Sequence, residues 1–204
     1  MCLIDIEKAF DSVWRNRLIC KLVKKEFTEE LIILINNMIR GRSFQTSGLN
    51  KLSRITGVIS NGLQEGAINS PHLFNIANSD LLYLFGLNKN EEKDSVQKYA
   101  IAFADDLNVI VVSKDIKKIN ESLTDISTKI NKYYLNYNLK SNASKCETTL
   151  IRRPQTYLSA IDKKNEKEFK VIITDLDGTE HEIPHKKVVK YLGFYIDYLY
   201  RLNK

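Results

Sequence analysis

The run 102-AFADDLNVIVV-112 sets two adjacent aspartates, Asp105 and Asp106, inside an otherwise apolar stretch. Burying one unpaired carboxylate is costly and burying two neighbours is worse, so a metal, a basic cluster or exposure at a tight turn must compensate them. With the preceding VQKYAI, the segment predicts strand, tight turn, strand, with the aspartates at the turn. Working outward, a short apolar strand at CLID, residues 2–5, ends on a third carboxylate, Asp5. If that strand lies beside the hairpin, three acids roughly a hundred residues apart in sequence converge on one edge of the sheet. Oxygen-only ligands select hard cations such as Mg²⁺. Taken alone, an Asp-Asp pair in a hairpin turn is ordinary turn chemistry, and the metal reading depends on the other segments.

The remaining segments predict an α+β fold, an antiparallel sheet with helices packed on one face. SVWRNRLICKLVKKEF spaces Trp14, Leu18, Leu22 and Ile19, Val23 at helical intervals. Thr28 is placed to cap a second helix, with Glu29 and Glu30 in its first turn and Leu31, Leu34, Ile35 and Met38 on one face. RSFQTSGLNKLSRITGVI reads as two strands around a turn, and NGLQEGAINSP as a loop. Ser70-Pro71 predicts a helix start with the hydroxyl as cap, and the helix should run to near Gly86. From Asp115, Ile116, Ile119, Leu123, Ile126 and Ile130 mark an amphipathic helix. CETTLIRR reads as a strand, 154–168 as a polar loop, FKVIITDLDGTEHEI as a hairpin turning at Asp177-Gly178, and VVKYLGFYIDYLY as a strand. The domain reading is therefore a core over 1–153, the polar loop 154–168, and a closing hairpin and strand over 169–204.

The 204 residues suffice for a sizeable core. Three well-separated cysteines, Cys2, Cys20 and Cys146, fit neither a disulfide framework nor a zinc knuckle and point to a reducing, intracellular setting. No segment is long and apolar enough to span a membrane, and the acids of MCLIDIEKAF are unlike a secretory signal. The net charge is +6, unevenly spread: ten Lys or Arg against six acids over 1–60, three against seven over 61–110, eighteen against twelve over 111–204. Basic flanks around an acidic centre suit a polyanion held near bound cations, and a solvated surface is the plainer account of the same pattern.

LIDIEKAFDSVW, GLQEGAINSP, AFADDL, LKSNASKCETTLIRR and VVKYLGFYID, in this order and spacing, resemble the successive palm motifs of reverse transcriptases. The resemblance is to those of arthropod-type non-LTR retrotransposons, and it spans Leu3 to about Asp197. It implies a polymerase-palm-like fold and RNA-directed DNA polymerase chemistry, with an RNA template, a DNA primer and a dNTP as partners and no membrane. It further implies two Mg²⁺ ions, for which Mn²⁺ can substitute, held by Asp5, Asp105, Asp106 and the backbone carbonyl of Ile6. In the family, the first aspartate of the pair is the more consistent ligand. Lys145 matches the lysine that protonates the departing pyrophosphate. Phe10 stands where an aromatic ring excludes a ribose 2′-hydroxyl, although an ordinary core phenylalanine reads the same. Gln64, Glu65 and Gly66 fall in the nucleotide-supporting loop, and Tyr191, Leu192 and Gly193 in the primer-gripping segment. A plain buried strand with Gly193 at a bulge is compatible with that segment. The resemblance places the protein in the nucleus or a cytoplasmic ribonucleoprotein.

Two departures are visible. The family's loop carries Gln at the position of Glu65, and a carboxylate near a triphosphate is repelled by roughly 3 kcal/mol per unit charge at about 5 Å and an effective dielectric of about 20. The chain also starts almost at the first motif and stops soon after the last, so fingers and thumb are expected from a longer polyprotein. A catalytically inactive remnant or RNA-binding module is the competing reading.

Overall fold

The computed structural model describes residues 1–45, 47–48, 51–52, 57–85, 96–152, 160–197 and 202–203. Along the chain run β1 (Cys2–Ile4), α1 (Arg15–Lys24), α2 (Glu29–Ile39), β2 (Arg42–Phe44), β3 (Ser47–Gly48), β4 (Lys51–Leu52), β5 (Gly57–Ile59) and α3 (Ser70–Ala77). A 3-10 turn at Leu81–Phe85 precedes β6 (Gln97–Phe103), β7 (Asp106–Val112), α4 (Ile116–Asn136) and β8 (Glu147–Thr148). The remainder is α5 (Ala160–Lys167), β9 (Val171–Thr174), β10 (Glu180–Ile183), β11 (Val188–Tyr191), β12 (Phe194–Asp197) and β13 (Leu202–Asn203). The fold mixes helices with antiparallel sheets, as the α+β expectation has it. Two compact units divide it, one of residues 1–7 with 80–204 and one of residues 8–79.

In the first unit a four-stranded antiparallel sheet has the order β6-β7-β1-β8. The short β1 is flanked on both sides, which buries Cys2 and Ile4. β7 contributes Leu107, Val109 and Val111 to the core. α4 contacts β7 and the 3-10 turn, and that turn contacts β6, so the helical layer lies on one face of the sheet. Asp115 caps α4 by accepting the Lys117 N–H at 2.9 Å, and Leu123, Ile126, Ile130 and Tyr134 form its buried stripe.

α4 also holds the β9-β10 ribbon. Thr124 and Thr128 hydroxyls accept the Ile172 and Thr174 N–H groups at 3.3 Å each, and Asn131 donates to the Thr174 carbonyl at 3.2 Å. An isolated two-stranded ribbon is marginal in water, and these bonds supply partners to a strand edge that has no third strand among the described residues. In the second unit α1 packs against α2 and α3, burying Leu18, Leu22, Ile35, Ile39, Leu73 and Phe74, while β2 pairs with β5 and β3 with β4.

Several local expectations are corrected. Residues 160–167, read as part of a polar loop, form α5. Ala, Lys and Glu are strong helix formers even where few apolar residues mark a face, and an Arg152–Glu166 ion pair at 2.9 Å ties the helix back. The closing segment is a hairpin, β11-β12, and Gly193 sits in its two-residue turn instead of a bulge. Leu192 and Gly193 both adopt positive φ, 48° and 84°, the pattern of a type I′ turn. Ser70 lies inside α3 behind Asn69 at the cap position, and its hydroxyl donates to the Gln64 carbonyl at 2.6 Å. α3 ends at Ala77, well before Gly86, which lies outside the described residues. Thr28 occupies the cap position of α2 without a side-chain cap bond, and Trp14 and Val23 of the first amphipathic segment are exposed.

Candidate active site

The β6-β7 hairpin pairs Phe103 with Asp106, leaving Ala104 and Asp105 as a two-residue loop. Ala104 takes φ 51° while Asp105 does not enter the positive region, the pattern of a type II′ turn, where glycine is preferred. An alanine held there stores about 1 kcal/mol or more of backbone strain. On the other side of β7, β1 pairs Ile4 with Leu107. Continuing that register by one residue sets Asp5 across from Asp106, and opposite residues of an antiparallel pair project to the same face.

Asp5 and Asp106 line one cleft of about 170 Å³ together with Lys145, Glu147, Lys190 and Tyr191. Asp105, at the turn, is not among the lining residues, but its charge is felt by both. Partial burial pushes the Asp106 carboxyl above its ordinary range, and Asp105 and Asp5 push it further. Asp5 is raised in the same way by burial, with Lys145 opposing and Asp105 and Glu7 reinforcing. The acids therefore form a cluster in want of positive charge. Lys186 pairs with Glu147 on the cleft wall.

Backbone bonds fix the first acid. Asn142 N–H donates to the Asp5 carbonyl at 2.9 Å and Glu7 N–H to the Lys140 carbonyl at 2.8 Å, around a bridge between Ile6 and Ser141. In such a bridge the groups of the central residue point the other way, so the Ile6 N–H and carbonyl turn away from residue 141. Asp5 N–H itself donates to Cys146 Sγ at 3.4 Å. Burial pushes that thiol up to about 12. The three cysteines are free, Cys2 and Cys146 buried and Cys20 exposed.

A divalent cation fits these residues in donor chemistry. The donors are oxygens, Asp105 raises the carboxyls of Asp5 and Asp106 while Asp5 raises that of Asp106, and the Tyr191 hydroxyl is a buried polar atom in the cleft wall with no hydrogen-bond partner among the described residues. Tyr191 is itself raised, by burial and by Asp106. Among the described residues no three His, Cys, Asp or Glu side chains are grouped so as to hold a metal ion, so Asp5, Asp105 and Asp106 do not by themselves make a complete ligand set. A hard cation that takes one or two carboxylates and completes its shell with water and phosphate needs no such set.

The other predicted residues fall in two places. Leu192 and Gly193 form the turn next to Tyr191. Phe10, Gln64, Glu65 and Gly66 belong to the second unit, where the Phe10 ring packs on Phe74 with centroids 5.3 Å apart. Leu63 N–H donates to the Phe10 carbonyl at 2.8 Å, which brings Phe10 beside the loop holding exposed Gln64, Glu65 and Gly66. Gly66 has φ 80°. Gly62 has φ 77°, and a Cβ there would strike the Asp11 backbone.

Sequence reasoning missed Arg15. Buried, it donates to three carbonyls of the same loop: Gly62 at 2.8 Å, Ile59 at 3.0 Å and Asn61 at 2.7 Å. Its only signal is an arginine at the start of an apolar helical stretch, where a solvated side chain reads identically. Lys190 and Glu147 in the cleft were also missed, because nothing in VVKYLG or KCETTL separates them from surface charges.

A sheet margin that gathers acids from two strands beside a lysine defines a candidate metal-assisted phosphoryl-transfer site. The sequence profile of the reverse transcriptase (RNA-dependent DNA polymerase) family matches residues 1–196, and the chain belongs to that family. It is 27% identical over 143 residues to the RNA-directed DNA polymerase from mobile element jockey of Drosophila melanogaster, covering 70% of this chain and 15% of that protein. It is 26% identical over 157 residues to a probable RNA-directed DNA polymerase from transposon BS of the same species, covering 75% of this chain and 17% of that protein. The chain thus spans under a fifth of these curated relatives. A telomerase structure from Candida albicans, in complex with a fragment of telomeric RNA, aligns over 100% of this chain and 30% of its own at TM-score 0.49 and 11% identity. Reverse transcriptases generally use divalent metal ions.

Proposed function

We propose that this chain is the palm of an RNA-directed DNA polymerase, joining deoxynucleoside triphosphates to a primer 3′-hydroxyl on an RNA template. The observation that carries the reading is the β1-β7 register, which sets Asp5 opposite Asp106 in a cleft shared with Lys145 and Tyr191. Two Mg²⁺ ions, when bound, supply activation of the attacking hydroxyl and charge neutralisation on the leaving pyrophosphate. Asp5, Asp106, Asp105 and the Ile6 carbonyl are the groups to hold them. Lys145, on the wall of the same cleft, delivers a proton to the leaving group. Tyr191, Leu192 and Gly193 hold the primer end, with the strained turn fixing the direction of Leu192.

Phe10 selects against the ribose 2′-hydroxyl by its bulk, and Gln64, Glu65 and Gly66 support the nucleotide, with Glu65 weakening triphosphate affinity by repulsion. Catalysis on this reading is positioning and electrostatics. The work belongs where the template is, in the nucleus or a cytoplasmic ribonucleoprotein. Primer extension on an RNA template with Mg²⁺ or Mn²⁺ tests it: with fingers and thumb supplied by the longer polyprotein the chain should extend, and Asp105→Asn should reduce extension by at least about a hundredfold. Extension indifferent to that substitution would remove the site assignment.

A further inference from the structure

Asp5 stands where a sheet ladder stops. Met1 and Thr149 exchange both backbone bonds, Met1 N to the Thr149 carbonyl at 2.9 Å and Thr149 N–H to the Met1 carbonyl at 3.0 Å. Hydrogen-bonded pairs alternate along an antiparallel ladder, so with Leu3 opposite Glu147 the next such pair is Asp5 with Lys145. That pair does not form. The chain turns at residues 142–145, where the Lys145 and Cys146 N–H groups both donate to the Asn142 carbonyl at 2.9 Å. The Asp5 N–H, deprived of its ladder acceptor, meets Cys146 Sγ at 3.4 Å instead, and the same sulfur lies 3.9 Å from the Asp5 carbonyl oxygen. That carbonyl is also held by Asn142 N–H at 2.9 Å. Both peptide groups flanking the Asp5 side chain are therefore tied to one turn, and Lys145 rides on it and lines the same cleft as Asp5. Cys146 is fully buried, which fixes the sulfur in place.

We infer that Cys146 is a positioning residue: its sulfur replaces the missing ladder acceptor and fixes Asp5 relative to Lys145 across the cleft. The inference rests on the polymerase reading above for its catalytic consequence and on backbone geometry alone for its structural one. It makes Cys146 different from the other buried cysteine, Cys2, whose sulfur contacts Ser127 at 3.7 Å on the core side of the sheet.

The test uses the whole chain and three variants. Cys146→Val fills the space without an acceptor, Cys146→Ala removes both, and Cys146→Ser keeps a shorter acceptor. Amide hydrogen exchange at Asp5, measured by NMR without metal, should be protected in the parent, lost in Val and Ala, and partly kept in Ser. Primer extension should lose roughly ten- to a hundredfold in kcat in Val and Ala with nucleotide KM unchanged, and recover partly in Ser. Half-saturation with Mn²⁺, followed by electron paramagnetic resonance, should weaken in the same order. A merely structural role would lower Tm in Ala, restore it in Val, and leave Mn²⁺ half-saturation untouched throughout. Unchanged Asp5 exchange in Val and Ala overturns the inference, and so does lost protection with unchanged kcat and Mn²⁺ binding. A parent chain that shows Asp5 protection yet neither binds Mn²⁺ nor extends a primer overturns the polymerase reading, and with it the catalytic role given to Cys146.

Discussion

Replacing Asp106 by Asn should make the metal-free protein more stable while abolishing its stabilisation by Mg²⁺. Asp106 has its carboxyl raised by burial and by Asp105 and Asp5. A carboxyl raised in the folded state contributes stability at low pH, and that stability is lost as pH rises through its folded value. At neutral pH the charge is therefore a net cost, and an amide of the same shape relieves it. The magnitude follows from exposure. Asp106 is largely solvent-accessible, so the relief belongs to the exposed-pair scale of about 0.5–1 kcal/mol and not to the several kcal/mol of a buried pair. For a domain of this size that is a Tm increase of about 1–4 °C. In the parent, Mg²⁺ at about a hundred times its Kd adds about 2.7 kcal/mol, and the variant should lose most of that gain. Calorimetric melts at pH 7.5 in EDTA and in Mg²⁺, run on both proteins, read both effects. A variant less stable than the parent in EDTA, or stabilised equally by Mg²⁺, would refute the reasoning.

Three further expectations concern other parts of the fold. Leu192→Asn places a residue tolerant of positive φ in the β11-β12 turn and should stabilise the protein by about 1 kcal/mol in urea denaturation, while lowering primer affinity if the Leu192 side chain touches the primer. Arg15→Met removes three charge-assisted bonds and strands three carbonyls of the 59–62 loop; a loss of about 3 kcal/mol is expected from the urea midpoint at constant slope, and a loss below about 0.5 kcal/mol would show that the clasp is idle. His185 is held below its ordinary range by burial, with Glu166 partly opposing, so the unfolded chain binds the proton more readily. Stability should be fully present above the ordinary histidine range and fall as pH drops through it, and His185→Gln should flatten that part of the Tm-against-pH curve.

What the sequence made legible were the features whose chemistry conflicts with their surroundings. Adjacent aspartates in an apolar run can only lie at a turn or near a counter-charge, and the observed hairpin loop at Ala104-Asp105 is that turn. The place of β1 beside β7 was legible only conditionally, because three residues of strand carry too little pattern to name a neighbour. α4 was readable because its apolar residues repeat over 21 residues and an aspartate caps it. α5 was hidden by its polar composition, and the β11-β12 turn by a leucine at φ 48°, a conformation that propensity assigns to Asn or Gly. Arg15 and Cys146 escaped for a different reason. Each acts on backbone groups of a distant segment, and the partner of a backbone group leaves no trace in side-chain pattern.

Iron-directed cleavage tests the central claim most directly. With Fe²⁺ and ascorbate in place of Mg²⁺, hydroxyl radicals cut the backbone within a few ångströms of the bound ion, and mass spectrometry locates the cuts. Two clusters are expected, one around residues 4–6 and one around 104–107, both suppressed by excess Mg²⁺ and by Asp5→Asn. Cuts confined to one of these segments, or insensitive to Mg²⁺, would contradict a shared ion between β1 and the aspartate hairpin.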